Sequence, residues 1–72
     1  MPKPFPLKRV LEVLKNKGFF FVCQKGSHAK YRKTGHPTFT VIIPMHGNEI
    51  PYGTFRSILR QANLTEEDFA KK

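Results

Sequence analysis

The sequence predicts a small two-layer α+β domain with the order helix, three strands, helix, and a short C-terminal helical turn. Two segments repeat apolar residues at positions i, i+3, i+4 and i+7, the spacing of an amphipathic helix. Three stretches between them are rich in aromatic and β-branched residues, as strands are. A chain of 72 residues has room for one core, so we expect residues 1–72 to form a single domain. One face of the sheet then serves both helices, and the other is free for a ligand.

The first helix is predicted from Leu7 to about Lys17. Pro6 suits its first turn, where a missing amide N–H costs nothing. Gly18 can adopt the left-handed conformation that caps a helix. Residues 1–5 contain two prolines and a lysine and are expected to be a flexible lead-in. The apolar stripe of the helix consists of Leu7, Val10, Leu11 and Leu14.

The sheet is predicted as a three-stranded antiparallel meander. A Gly-Ser pair at residues 26–27 breaks the chain into a tight connection between the first two strands. Residues 34–37 contain Gly and Pro, the usual chain-reversing pair, before the third strand. The predicted strands are residues 19–24, 28–33 and 38–43.

The second helix is predicted to end at Asn63, a residue type that tolerates the left-handed conformation. Thr65 and the three acids that follow it are a strong helix start signal, with a capping hydroxyl and negative charge at the positive end of the dipole. The short last turn is expected to carry Phe69 into the core. The stripe of the second helix consists of Phe55, Ile58, Leu59 and Ala62.

Charge and cysteine usage limit the classes of partner and compartment. Lys and Arg number 13 against 5 Asp and Glu, a formal net charge of +8, so a polyanion is the first partner to consider.

The single cysteine, Cys23, excludes an internal disulfide, and we expect it to be a small core residue in a reducing cytosol. The only continuous apolar run, residues 19–23, is too short to span a bilayer, and the N-terminus lacks a signal-peptide core. We therefore expect a cytoplasmic protein without membrane association.

The predicted second strand carries the main candidate site. Side chains alternate between faces in a strand, so His28, Lys30 and Arg32 share one face while Ala29 and Tyr31 take the other. We expect the first three on the free face of the sheet. An imidazole beside two fixed cations can hold a phosphate chain and move a proton near neutral pH.

Neighbouring residues are further candidates. The third strand adds Thr38 or Thr40 to the same face. Gly26 and Ser27 either present backbone N–H groups to a phosphate or simply form a tight hairpin turn. Tyr31 can stack on a nucleic-acid base, but the alternation favours packing in the core.

The other histidines carry weaker signals. His46 lies in a loop that suits either a contact with a polyanion or a structural hydrogen bond. His36 also lies in a loop and is expected to be solvated. The spacing of the three histidines and Cys23 follows no usual ligand pairing for zinc. We therefore expect no metal and no cofactor.

Three blocks of the sequence resemble the HicA family of toxins, also called YcfA-like proteins. The resemblance runs in order from Leu7 to Phe69 without a gap. It departs at Asn63, where the family commonly has Gly, and both residue types accept the left-handed cap. The blocks are Gln24-Lys25-Gly26-Ser27-His28 with Tyr31, then residues 43–50 (IPMHGNEI), then residues 53–62 (GTFRSILRQA).

The resemblance implies a double-stranded-RNA-binding-like fold and ribonuclease activity against messenger RNA. It also implies a cognate HicB-type antitoxin that occludes the active site. The family's catalytic histidine is the one in the Gly-Ser-His motif, which is His28 here. The expected RNA-binding residues are Lys25, Gly26, Ser27, Lys30, Arg32 and Lys33, with His46 and Tyr31 as secondary candidates.

Two functions from different classes remain open at this point. In the first, the protein is a metal-independent endoribonuclease: His28 abstracts the proton of a ribose 2′-hydroxyl or protonates the 5′ leaving oxygen, and nearby cations stabilise the transition state. The sequence offers no obvious second proton-transfer group. In the alternative, the protein is a non-catalytic module that holds structured RNA by shape and phosphate contacts.

Overall fold

The predicted fold class is confirmed: a helix is followed by a three-stranded antiparallel sheet and then by two helices. A computed structural model describes residues 4–70 of the chain. Two very short strands were not predicted by the sequence analysis: one directly precedes the first helix, and the other precedes the second helix. In chain order the elements are β1 (Phe5–Pro6), α1 (Leu7–Asn16), β2 (Phe20–Lys25), β3 (His28–Lys33), β4 (Phe39–Pro44), β5 (Glu49–Ile50), α2 (Tyr52–Ala62) and α3 (Glu66–Ala70).

Both long helices end as the sequence predicts, in a left-handed residue. Gly18 follows α1 with φ 97°, and Asn63 follows α2 with φ 58° and ψ 44°. After α1, the N–H of Phe19 donates to the carbonyl oxygen of Leu14 at 2.9 Å, and Gly18 donates to Lys15 at 3.1 Å. This pair of bonds satisfies carbonyls that the end of a helix leaves without partners. The chain can therefore turn back and enter the sheet at Phe20.

The sheet has the order β2-β3-β4, and its middle and last strands form one wall of the core. Ala29, Val41 and Ile43 are fully buried on the face that the helices cover. Tyr31 and Phe39 are partly buried against the same core. This face packs against the apolar stripes of α1 and α2, whose buried residues are Leu7, Val10, Val13, Leu14, Phe55, Ile58, Leu59 and Ala62.

The strand β2 lies at the edge of the sheet and is exposed along its whole length. Its pairing with β3 shifts register between Phe21 and Cys23, so a bulge interrupts the alternation there. Cys23 is exposed, and the prediction that it is a core residue is wrong. The physical reason is the bulge, which turns Cys23 to the same side of the sheet as Lys30. In addition, α2 packs on β4 at the opposite edge of the sheet. The predicted strand start is also one residue early, since Phe19 is buried before the strand begins.

Phe5 is not part of a loose lead-in. It pairs with Ile50 in the antiparallel β1–β5 ribbon, and its ring stacks on Phe55 with the centroids 4.4 Å apart. Pro4 is exposed and has no regular structure, and the rest of the predicted lead-in, residues 1–3, lies outside the described residues. The ribbon joins the start of α1 to the loop that precedes α2.

The short helix α3 starts at the predicted place but is capped differently. The Asp68 carboxylate accepts hydrogen bonds from the Thr65 N–H at 2.9 Å and from the Thr65 hydroxyl at 3.2 Å. The side chain of Lys17, just after α1, lies 3.1 Å from the other Asp68 oxygen. Phe69 is buried, as predicted. Over residues 4–70, the helices are all too short or too polar to cross a membrane.

Candidate functional site

The sheet face turned away from the helices is called the outer face here. The register of the strands arranges it as three rows of three residues. The middle column, from β3, consists of the basic residues His28, Lys30 and Arg32, as the alternation predicts. The rows are Lys25-His28-Pro44, Cys23-Lys30-Ile42 and Phe20-Arg32-Thr40.

Of the two threonines considered for this face, Thr40 lies on it. Arg32 donates from Nε to the Thr40 hydroxyl oxygen at 3.5 Å. Thr38 instead exchanges hydrogen bonds with the backbone of Gly35 in the preceding turn. Arg32 and Lys30 are half-buried, whereas His28 is exposed at the end of the column.

The Gly-Ser turn holds His28 in place and connects it to the loop after β4. Gly26 has φ 60°, a left-handed value that glycine adopts without strain. The Gln24 amide donates to the carbonyl oxygen of Gly26 at 3.0 Å. The carbonyl oxygen of Ser27 accepts a hydrogen bond from the N–H of Met45. The residue before His28 is thereby bonded to the residue before His46.

As a result, His28 and His46 line the same surface groove, which has a volume of about 460 Å³. Its other polar residues are Glu49, Thr54 and Gln61. Gln61 also accepts a hydrogen bond from the N–H of Ile42 at 3.1 Å and so occupies part of the open edge of β4. Residues of β3, β4, β5 and α2 therefore build this groove together with the loop residues His46 and Pro51, and it is called the histidine groove below.

A second groove of about 390 Å³ lies on the β2 side of His28. His28 and Ile42 line both grooves, so the imidazole lies where the two meet. The second groove is lined by Cys23, Gln24, Lys25, His28, Lys30 and Ile42.

Several residues considered in the sequence analysis line neither groove. Arg32 is one of them although it lies on the outer face, and Gly26 and Ser27 belong to the turn before His28. Tyr31 faces the helical layer, where its ring is 5.7 Å from that of Phe21. Lys33 also belongs to that side of the strand, and its side chain runs past Gly18 at the end of α1. His36 is exposed in the turn before β4. The basic cluster on the outer face is therefore smaller than the run from Lys25 to Lys33 suggests.

The sequence analysis missed several residues of the grooves and the outer face. Glu49, Thr54 and Gln61 belong to the second and third blocks of the family resemblance, which was the available signal. Phe20 and Cys23 gave no such signal. The start of β2 is apolar on both faces, and the bulge after Phe21 decides which face Cys23 occupies. Within residues 4–70, no three His, Cys, Asp or Glu side chains are grouped as they are around a metal ion.

Comparison with known proteins gives one family. Residues 7–64 match the family model described as the HicA toxin of bacterial toxin–antitoxin systems. The matched range includes α1, the whole three-stranded sheet and α2. No curated protein matched the sequence.

Proposed function

Since the chain belongs to the HicA toxin family of bacterial toxin–antitoxin systems, we propose that it is a toxin that cleaves messenger RNA as an endoribonuclease. The observation that carries this proposal is the position of His28. It is an exposed imidazole in line with Lys30 and Arg32 on the outer face, at the junction of two grooves. A polyanion bound along this column brings its phosphates next to a group that can transfer protons.

The reaction needs no group beyond the RNA and these side chains. The ribose 2′-oxygen attacks the adjacent phosphorus as its proton leaves, and the bond from phosphorus to the 5′-oxygen breaks. The products are a 2′,3′-cyclic phosphate and a 5′-hydroxyl. Lys30 and Lys25 supply positive charge near the phosphorus, where negative charge develops in the transition state, and Arg32 supplies it further along the bound strand. His28 transfers one of the two protons.

His46 is the best candidate for the second proton transfer. It shares the histidine groove with His28, and the Met45–Ser27 hydrogen bond fixes the backbone between them. One imidazole accepts the 2′ proton while the other, protonated, donates to the 5′-oxygen. Each transfer by a positioned side chain accelerates a reaction by about 10²- to 10⁴-fold.

Membership of the family implies an antitoxin partner. We propose a HicB-type protein that covers the grooves around His28 and so excludes RNA. Acidic groups on the antitoxin would complement the net charge of +8. The proposed site of action is the cytoplasm, where messenger RNA is translated.

The test is cleavage of RNA by the protein and by His28→Ala, with His36→Ala as the matched control. His28 and His36 are both exposed, and His36 lines neither groove. We expect His28→Ala to abolish cleavage while RNA binding and the circular dichroism spectrum are retained. Cleavage by His36→Ala and by the parent should continue in EDTA and leave 2′,3′-cyclic phosphate ends. If His28→Ala cuts RNA as fast as the parent, the catalytic assignment is wrong. If the parent binds RNA without cutting it, the protein is a binding module.

A further inference from the structure

The outer face carries a large aromatic side chain that the proposed reaction does not use. Phe20 is the first residue of the strand β2, and its side chain is 47% exposed. It pairs with Arg32, which places it on the outer face in the row next to that of Lys30. Exposing a phenyl ring of this size to water is unfavourable, and burial against a partner removes that cost.

The surroundings of Phe20 identify the chemistry of that partner. On the outer face, the β2 column begins with two apolar residues, Phe20 and Cys23, before it reaches Lys25. These two residues lie beside the cationic residues Arg32 and Lys30 of β3. Alternate residues of β3, such as Lys30 and Arg32, are about 6.6 Å apart along the strand, and the neighbouring strand β2 lies about 4.8 Å away. A single nucleic-acid strand has the same two-column character, with charged phosphates on one side and flat apolar bases on the other.

We propose that Phe20 is a base-stacking residue and that the outer face binds single-stranded RNA. The inference rests on the proposed function, which it deepens by naming the substrate class. The phosphates lie along the Lys30–Arg32 column and lead to His28, and a base lies on the ring of Phe20. A base within a duplex is already stacked and paired, so it cannot lie flat on this ring. The sheet therefore selects unpaired segments of RNA.

The chain offers a closely matched control. Phe21 follows Phe20 on the same edge strand and is 52% exposed, but it pairs with Tyr31 and so belongs to the opposite face. If the loss of any exposed phenylalanine from β2 weakens RNA binding, substitutions of Phe20 and Phe21 weaken it equally. An effect of base stacking appears only at Phe20.

The chain contains no tryptophan, so each substitution by Trp introduces a single fluorescent reporter. In the His28→Ala background, which prevents cleavage, a single-stranded oligoribonucleotide is titrated into Phe20→Trp and Phe21→Trp. The same RNA annealed to its complement serves as the duplex probe. We expect strong quenching by the single strand at position 20, little at position 21, and little at either position with the duplex. Phe20→Ala should weaken single-strand binding by about 5- to 100-fold, and Phe21→Ala by less than about 2-fold.

The possible failures are distinguishable. Equal single-strand affinities for Phe20→Ala and Phe21→Ala overturn the stacking role, and so does equal quenching of the two Trp variants. Duplex binding as tight as single-strand binding overturns the substrate class. If Phe20→Ala leaves RNA binding unchanged but weakens antitoxin binding, the ring belongs to a protein interface instead. None of these results affects the test of His28, which depends on cleavage in the chain with Phe20 intact.

Discussion

Arg32 donates a hydrogen bond from its guanidinium Nε to the hydroxyl oxygen of Thr40, 3.5 Å away on the neighbouring strand. The bond crosses the outer face from β3 to β4. It directs the Nε edge of the guanidinium toward Thr40, and the proposed phosphate contact uses the Nη groups. Lys30, two residues earlier, has a flexible ammonium that interacts with phosphates as a point charge. Both residues are expected to contribute to RNA affinity through charge.

Replacing Lys30 or Arg32 with Ala should weaken RNA binding uniformly across sequences. When a phosphate contact is lost, RNA binding releases fewer counterions. The magnitude of the slope of log affinity against log salt should therefore fall by about 0.7 to 0.9 per substitution. Fluorescence anisotropy over a series of salt concentrations measures this slope. Lys15→Ala, on the exposed side of α1, is the control and should leave the slope unchanged. A slope that also stays the same in the Lys30 and Arg32 variants removes these residues from the RNA site.

The columns of the outer face show what the sequence predicts well and what it does not. The strand β3 keeps a strict period of two, so its pattern correctly separates His28 and Lys30 from Ala29. The face of Cys23 was not predictable, because the bulge after Phe21 breaks that period. A bulge is a property of the pairing between two strands and leaves no mark on the composition of either.

The histidine groove could not be predicted from the sequence, for a different reason. His28 and His46 are separated by a turn and a strand, and the hydrogen bond between Ser27 and Met45 brings them to one groove. Backbone hydrogen bonds carry no residue preference, so this contact depends on the tertiary fold. The β1–β5 ribbon was missed similarly, because two-residue strands are too short to show a period.

His46→Ala should lower the rate of cleavage by about 10²- to 10⁴-fold with little change in RNA affinity. The reason is that the proposed role of His46 is proton transfer, which acts on the chemical step. The pH dependence separates this role from a structural one. The parent should give a bell-shaped profile of rate against pH, and His46→Ala should lose one limb of the bell. A bell that is lowered but keeps both limbs shows that His46 only supports the groove.

Cys23 should react readily with iodoacetamide, and bound RNA should protect it. The thiol is exposed and lines the groove that also contains Lys25 and Lys30, on the path proposed for the RNA strand. Mass spectrometry of the intact protein, with and without a single-stranded oligoribonucleotide in the His28→Ala background, measures the rate of modification. Cys23→Ser should keep cleavage activity and become insensitive to the reagent. Equal rates of alkylation with and without saturating RNA show that the strand does not cover this groove.

Two adjacent isoleucines on β4 should differ sharply in their effect on stability. Ile43 is fully buried in the core, whereas Ile42 is 38% exposed on the outer face. Ile43→Ala should lower the free energy of unfolding by about 2–5 kcal/mol, because it removes buried methyl groups and leaves a cavity. Ile42→Ala should cost less than about 1 kcal/mol. Urea denaturation measures both, and Ile43→Val, with an expected cost of about 0.5–1.5 kcal/mol, gives a value if Ile43→Ala does not fold. Equal losses at the two positions contradict the assignment of faces.

Asp68 should make the stability of the domain sensitive to acid. The pKa of its carboxyl is lowered chiefly by the hydrogen bond from the Thr65 N–H and next by Lys17. A carboxyl whose pKa is lower in the folded state contributes stability above its unfolded pKa, about 3.9, and loses that contribution as the pH falls through the folded value. At pH 7 the melting temperature of Asp68→Asn should therefore lie below that of the parent. At pH 2 the melting temperatures of the two proteins should be close. Glu67→Gln, the neighbouring exposed acid, should change the melting temperature little at either pH. A difference between Asp68→Asn and the parent that is as large at pH 2 as at pH 7 would show that the residue acts through packing, and that its charge does not link α3 to the end of α1.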